Sequence, residues 1–141
     1  MKTKTIYNGF YNVLKTLETN RTVKSVTKTG IDPITEYPAI EISLGADVRQ
    51  ETDKGIYEHE LTLYSDIHVT SLNKNIDELM LDLRDTVESK VFEIPNLGLS
   101  DVFIIKFISQ SEPNYNQAST EFASSTRLEW SINFFNNRET L

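Results

Sequence analysis

The two histidines of this chain, His59 and His68, have the side chains best suited to binding a metal ion or transferring a proton near neutral pH. They lie nine positions apart in a stretch that alternates apolar and polar residues, as a β-strand does. An odd spacing on a strand directs two side chains to opposite faces of a sheet, so these two cannot share a metal ion. We expect His59 to be a partly buried residue near a strand end, His68 to be a surface residue, and neither to form a metal or catalytic site.

Three carboxylates, Glu78, Asp82 and Asp85, recur at helical spacing. We expect them to form an acidic stripe on the outer side of a helix. Paired carboxylates act as acid and base in a concave, partly apolar setting, which this spacing does not provide. A solvated helix face is the simpler interpretation, and the functional alternative is a surface that lines a passage for a polyanion.

The remaining sequence also lacks motifs for catalysis. Its serines have no nucleophile-elbow context, its five glycines form no phosphate-binding pattern, and it contains no cysteine. We therefore expect no enzymatic activity and no cofactor. Function has to be inferred from the fold and from the groups, such as the backbone of edge strands, that the fold leaves without partners.

The composition is that of one globular domain over residues 1–141. The chain has 141 residues, of which 38% are hydrophobic. A chain of this length can bury roughly two-thirds of its unfolded surface. Twenty-one acidic and fourteen basic residues give a net charge of -7, which repels a phosphate backbone. The longest apolar run, near residues 102–108, is far shorter than the ~20 residues that span a bilayer, and the basic N-terminus is not followed by a signal-peptide pattern. These features predict a soluble protein with no membrane partner and no non-specific binding to nucleic acid.

Hydrophobic periodicity predicts two helices and five strands. Apolar residues recur every three or four positions over residues 5–17 and 76–91, and Asn75 and Glu78 form a capping box before the second stretch. Alternation predicts strands over residues 23–29, 39–44, 57–69, 101–110 and 120–136. The order α-β-β-β-α-β-β predicts an α+β two-layer sandwich, a mostly antiparallel β-sheet with two helices packed on one face.

The strand over residues 101–110 has apolar residues on both faces, as a central or interface strand has, so we expect it to be highly buried. On the open face of the sheet, away from the helices, we expect Tyr64, Phe103 and Phe107 among charged residues. Exposed aromatic residues of this kind indicate an interface. Scattered surface aromatics are the alternative interpretation.

Residues 45–55 are polar and predict a long hairpin loop. Its charged side chains are candidates for contacting a partner: Asp47, Arg49, Glu51, Asp53 and Lys54. The strand that follows would reach about 43 Å at ~3.3 Å per residue, whereas the second helix is about 25 Å long. Overhanging strands expose unpaired backbone groups, so they must form a solvated hairpin, bend at a bulge or pair with another chain. Our hypothesis is self-association through strand edges and the open face. On this interpretation, deleting residues 47–54 would leave the fold intact and block docking.

Two segments and the order of the elements resemble the tail terminator, or tail-completion, proteins of long-tailed bacteriophages. The segments are a Tyr-Pro-Ala-Ile strand entry at residues 37–40 and a Leu-x-Trp segment at residues 128–130. With the long hairpin and the central helix, the resemblance covers most of the chain. It implies a single tail-terminator-like domain that forms a hexameric ring on the finished tail tube.

The resemblance also implies partners and a location. The ring would contact the tail tube protein and offer a docking surface to the head connector or stopper protein. DNA would pass without specific binding through an acidic lumen, for which Glu78, Asp82 and Asp85 are the candidate lining. The protein would reside at the tail–neck junction of the virion, after assembly in the host cytoplasm.

A small-molecule-binding or regulatory α+β module, with a pocket between the sheet and the helices, is the alternative function. Such a module needs convergent polar groups that point into the core. The inward-facing positions of the predicted strands are almost wholly apolar, which favours the structural assembly protein.

Overall fold

The computed structural model describes residues 3–30, 34, 36–72, 75–118 and 121–137. Within them lie two helices and six strands: α1 (Thr3–Thr19), β1 (Ser25–Lys28), β2 (Ala39–Asp53), β3 (Ile56–Ser71), α2 (Ile76–Glu93), β4 (Val102–Gln110), β5 (Asn114–Ala118) and β6 (Glu121–Asn137). A short 3-10 turn, Pro95–Gly98, connects α2 to β4.

The six strands form one sheet in the order β1-β2-β3-β6-β4. β1 is parallel to β2, and the other pairs are antiparallel. β5 pairs with β6 in line beyond the end of β4 and adds one short strand to the five predicted. The predicted α+β fold class and the order of its elements are confirmed.

Trp130, in the middle of β6, is the residue against which both helices pack. It is fully buried, and its ring centroid lies 5.9 Å from that of Phe10 in α1 and 5.8 Å from that of Phe92 in α2. Both helices therefore cover the same face of the sheet. The indole Nε1 donates a hydrogen bond of 3.0 Å to Ser65 Oγ on β3. The strand predicted over residues 120–136 is confirmed as β6, and its inward-facing residues are buried: Leu128, Trp130, Ile132 and Phe134.

The apolar stripe of each helix faces this core. The buried residues are Ile6, Phe10, Leu14 and Leu17 in α1, and Met80, Leu83, Val87 and Val91 in α2. Asn75 caps α2, because its Oδ1 accepts hydrogen bonds from the backbone N–H groups of Asp77 and Glu78. The predicted start of the second helix is therefore confirmed.

The second half of β2 occupies residues 45–53 of the segment 45–55 that was predicted as a long loop, and only Lys54 and Gly55 form the turn to β3, so that prediction is wrong. A bulge follows Leu44, and pairing with β3 resumes at Asp47. Gly45 permits the close approach of the two strands at the bulge, because a Cβ there would lie 2.8 Å from Thr62 Cγ2. The alternation that identifies a strand is missing here because most residues of this half-strand are exposed, so neither face has to be apolar.

β4 is an edge strand and not the highly buried strand that was predicted. It pairs with β6 on one side, and no described strand lies on the other side. Val102 is buried, but Phe103 is 42% exposed and Ile108 is 48% exposed. The prediction failed because an apolar pattern on both faces does not reveal which strands will be neighbours.

We predict that Ser65→Ala lowers the free energy of unfolding by about 1–3 kcal/mol, because it leaves the buried Trp130 Nε1–H without an acceptor. Ser43→Ala is the matched control, since the Ser43 Oγ has no hydrogen-bond partner among the described residues. Urea unfolding followed by the fluorescence of the single tryptophan measures both variants. Equal stabilities of the two variants would contradict the role given to Ser65.

Glu18 connects the end of α1 to β1. Its Oε2 accepts hydrogen bonds of 2.8 Å from Lys15 Nζ and 2.8 Å from the backbone N–H of Val26. The Lys15 hydrogen bond, followed by the bond from Val26, lowers the pKa of Glu18 from its ordinary value against the opposing effect of burial. The ionised carboxylate is therefore the form that the fold favours.

This carboxylate should make stability depend on pH. Its folded pKa lies below the unfolded value of about 4.3, so its contribution is present above that value and is lost as the pH falls through the folded pKa. We expect Glu18→Gln to lower stability by about 0.5–1 kcal/mol at neutral pH and to match the parent protein in strong acid. Urea unfolding across the acid range tests this, with Glu88→Gln on the outer side of α2 as the control. A loss that does not change with pH would show that charge is not involved.

Candidate assembly interface

The candidate site is a pair of uncovered sheet edges, one formed by β4 and one by the second half of β2. In the described part of the chain, β4 pairs with β6 alone, and β1 covers β2 only as far as Ile42. Residues 43–53 therefore present an outer edge with no described strand beside it. Uncovered edges are templates for pairing with another chain, and these two lie on opposite sides of the sheet.

The β4 edge is flanked by apolar side chains on both faces of the sheet. On the open face, Phe103 stacks on Phe135 of β6 with ring centroids 4.6 Å apart, and each is 42% exposed. Ile104 and Ile108 are also exposed. On the helix face, Phe92 is 47% exposed beside Trp130. A partner strand that pairs with β4 would therefore cover apolar side chains on both faces of the sheet.

Phe107 lies on the helix face, so the prediction that it shares the open face with Tyr64 and Phe103 is wrong. It is the β4 partner of Trp130, and the two ring centroids are 5.0 Å apart in an edge-on arrangement. A bulge between Val102 and Ile104 is the cause. The extra residue reverses which side chains of β4 face the core from that point on.

A second bulge follows Phe107, so β4 has a short regular stretch from Ile104 to Phe107. Lys106 lies within it and is exposed on the open face, opposite Ser131 of β6. Bulges and lysines on an edge oppose indiscriminate pairing. This edge therefore combines exposed apolar side chains with features that oppose indiscriminate pairing.

Asp47, at the bulge of β2, is exposed but makes its polar contacts within its own chain. Its carboxylate lies 3.0 Å from His59 Nδ1 and accepts a hydrogen bond of 3.3 Å from Thr3 Oγ1. His59 is 2% exposed, more buried than predicted, and its ring stacks on Phe134 at 4.6 Å. Of the predicted partner-contacting residues, Asp47 thus has a structural role that its place in a supposed loop did not reveal.

The other charged residues of this segment are also exposed, and they lie along the end of β2 and its turn. The Arg49 guanidinium lies 5.5 Å from the ring centroid of Tyr57. Glu51 and Asp53 accept hydrogen bonds from the backbone of the turn, which contains Lys54. These contacts are local, so Arg49, Glu51, Asp53 and Lys54 can also face a partner, and their role as an interface stays a prediction.

The centre of the open face is internally paired. Tyr64 lies there as predicted, with the Arg127 guanidinium 4.3 Å from its ring centroid. Arg127 donates hydrogen bonds of 2.8 and 3.0 Å to the two carboxylate oxygens of Asp66, which raises the pKa of Arg127. His68 Nε2 lies 3.3 Å from Glu41 Oε1 farther along. Tyr64 is therefore engaged within the protomer more fully than the exposed Phe103.

His59 and His68 lie on opposite faces of the sheet, as predicted. Across the described ranges, no three His, Cys, Asp or Glu side chains converge as metal ligands would. No helix in the same ranges combines the length and the apolar character needed to cross a bilayer.

Glu78, Asp82 and Asp85 are exposed on the outer side of α2, as predicted. Asp85 pairs with Arg84 at 3.0 Å, and another nitrogen of Arg84 donates to Gln110 at the end of β4. The acidic stripe therefore belongs to the helix layer and not to the open face of the sheet. Its role as a lumen lining stays a prediction.

A mostly apolar groove lies between α1 and the end of α2. Its apolar lining includes Val13, Ile94, Leu97 and Leu99. The charged residues at its rim, Lys90 and Glu93, pair with each other at 3.1 Å. This groove is the place that a small-molecule-binding function would use.

Neither a scan of protein-family models nor a search of curated proteins finds a match for this chain. The functional interpretation therefore depends on geometry and on the resemblance of the sequence segments. Sequence reasoning identified β4 as a candidate interface strand from its two apolar faces. It missed the outer edge of β2. The signal in the sequence was the length of the strand predicted over residues 57–69, since a long strand needs an equally long neighbour.

Deleting residues 47–54 would remove half of β2 together with its pairing to β3, so the premise of that deletion, a loop outside the sheet, is wrong. Substitutions at single positions are the appropriate probes of this segment.

We expect Asp47→Ala to lower the free energy of unfolding by about 1–2 kcal/mol, because it leaves the Nδ1 of a buried histidine without a partner. Asp47→Asn retains an acceptor oxygen and should lose less. Glu51→Ala, at the exposed end of the same strand, should stay within about 0.5 kcal/mol of the parent. Denaturant unfolding ranks the three variants. If Asp47→Ala is no less stable than Glu51→Ala, Asp47 does not anchor the bulge.

Proposed function

We propose that this protein is a structural virion assembly protein that forms a ring, caps the completed tail tube of a long-tailed bacteriophage and provides the docking interface of the neck. The observation that carries this proposal is the pair of uncovered edges on opposite sides of one sheet. The resemblance of the strand entry at residues 37–40, of the Leu-x-Trp segment and of the element order supports the same class.

Edges on opposite sides of a subunit favour head-to-tail association. In such an association one surface contacts a different surface of the next copy, and the contacts close into a ring when the rotation per subunit permits. The two edges differ in chemistry, since β4 is apolar and the second half of β2 is charged. A two-fold dimer, which joins identical surfaces, would leave one kind of edge uncovered.

The partners in this proposal are further copies of the chain, a hexamer by the resemblance, with the tail tube protein on one side of the ring and the head connector or stopper protein on the other. The net charge of -7 suits a ring that lets DNA pass without binding it. Glu78, Asp82 and Asp85 are exposed and are the proposed lumen lining. The location is the tail–neck junction, and no catalytic step is involved.

A small-molecule-binding module remains the second candidate, and the apolar groove between α1 and α2 is the observation that favours it. This function does not require the two sheet edges to be covered. The two candidates therefore differ in the oligomeric state they predict for the purified protein.

We predict that the purified protein forms rings with a central hole in negative-stain electron microscopy and the corresponding mass in light scattering. Ile104→Glu should convert the rings to folded monomers, because it places a charge on the regular stretch of the β4 edge. Ser89→Glu adds the same charge to the exposed outer side of α2 and should leave the rings unchanged.

Circular dichroism should show that both variants retain the secondary structure of the parent. Compact monomers or two-fold dimers of the parent protein at high concentration would overturn the proposed function. If Ile104→Glu still forms rings, β4 is not part of the interface between copies.

A further inference from the structure

We propose that the β4 edge of one copy pairs with the outer edge of β2 in the next copy, so that one antiparallel sheet continues across the subunit boundary. This inference rests on the proposed function and identifies the two edges through which the copies would associate. The occupant of the β4 edge is thus a second copy of this chain, and its contact segment is the second half of β2.

The directions of the strands fit this pairing. β2 and β6 run in one direction and β3 and β4 in the other, because each neighbour in the series β2-β3-β6-β4 is antiparallel. When a second copy continues the sheet with the same face outward, its β2 lies antiparallel to β4. Strand direction would then alternate across the subunit boundary, as it does from β2 to β4 within each subunit.

The regular stretches of the two edges also match in length. Between its two bulges, β4 is regular from Ile104 to Phe107. Beyond its own bulge, β2 pairs regularly with β3 from Asp47 to Glu51. Each edge therefore offers four or five residues in undistorted strand geometry, and both stretches are bounded by irregularities that would stop a longer, indiscriminate ladder.

Self-pairing of β4 is disfavoured by its charge. Lys106 lies at the centre of Val102–Gln110, so antiparallel pairing of two β4 strands about their midpoint would place two lysines directly opposite each other. Like charges in this position destabilise a strand pair. β2 offers no cation to the open face in its regular stretch, where the side chains are Val48 and Gln50.

The charges across the proposed boundary are complementary. In an antiparallel register that keeps the faces aligned, Lys106 lies beside Val48 or beside Gln50. Val48 is opposite Glu60 on β3, and Gln50 is opposite Glu58. The Lys106 ammonium can extend across the single intervening strand, about 10 Å from its own backbone to that of the glutamate, because both side chains are long. The same contact would cover Val48, which is 63% exposed in the protomer.

Engineered disulfides test this pairing directly, since the chain contains no cysteine. β2 and β4 of one copy are separated by three strand spacings, about 14 Å, whereas a disulfide requires Cα atoms less than about 7 Å apart. Any disulfide between positions on these two strands therefore joins different copies. The test uses two double variants of the full chain, Lys106→Cys with Val48→Cys and Lys106→Cys with Gln50→Cys.

After mild oxidation, we expect at least one of the two double variants to lose its monomer band in non-reducing electrophoresis and to form a ladder that ends at the size of the ring. Lys106→Cys with Ser89→Cys is the matched control, because Ser89 is equally accessible but lies on α2. It should remain monomeric on the gel, as should Lys106→Cys alone. A mixture of the two single variants Lys106→Cys and Val48→Cys, or Lys106→Cys and Gln50→Cys, should form disulfides between unlike copies.

The outcomes separate this inference from the proposed function. Rings in the microscope without these disulfides would overturn the pairing of β4 with β2 and leave the ring intact. Covalent dimers of Lys106→Cys alone would show that β4 pairs with itself, which also overturns the inference. A ladder of open chains without rings would support the pairing and contradict the ring-capping function.

Discussion

The ladder between β3 and β6 is the constraint on which the rest of the structure depends. Every residue of β3 from Ile56 to Ser71 has a partner on β6, and the Trp130–Ser65 hydrogen bond joins the same two strands inside the core. Both helices pack on the face that this pair presents. Because β3 and β6 take the interior of the sheet, β2 and β4 become its flanks, and each lacks a second partner along most of its described length.

The same constraint leaves backbone exposed at the strand edges on which the proposed association depends. Polar groups on the open face are engaged with one another, as in the Asp66–Arg127 pair, and the buried His59 is held by Asp47 and Phe134. In the described ranges, β4 and the second half of β2 present uncovered backbone, and the β4 edge is lined by aromatic and aliphatic side chains. Surfaces of this kind bind other chains through main-chain hydrogen bonds and apolar contact.

Sequence reasoning succeeded where the signal is local. The helical stripes and the Asn75 cap depend on residues within one or two turns of each other, so α1 and α2 were predicted with nearly correct ends. It failed for β2 beyond Leu44, where exposed residues carry no period, and for Phe107, whose side chain was redirected by a bulge. The candidate site was predicted in part: the exposure of Phe103 was correct, and the burial expected for β4 was not.

The sequence by itself determined the fold class, the element order, the apolar core positions and the lack of cysteine chemistry, because these follow from composition and from short-range periodicity. Only the tertiary structure decided which strands stand at the edges, which of them has a free outer side, and which face each side chain of β4 occupies. Strand neighbours are chosen by contacts between distant residues, such as Ile56 with Asn137, and a bulge reverses a face with no change in hydrophobic content. A periodic pattern contains neither kind of information.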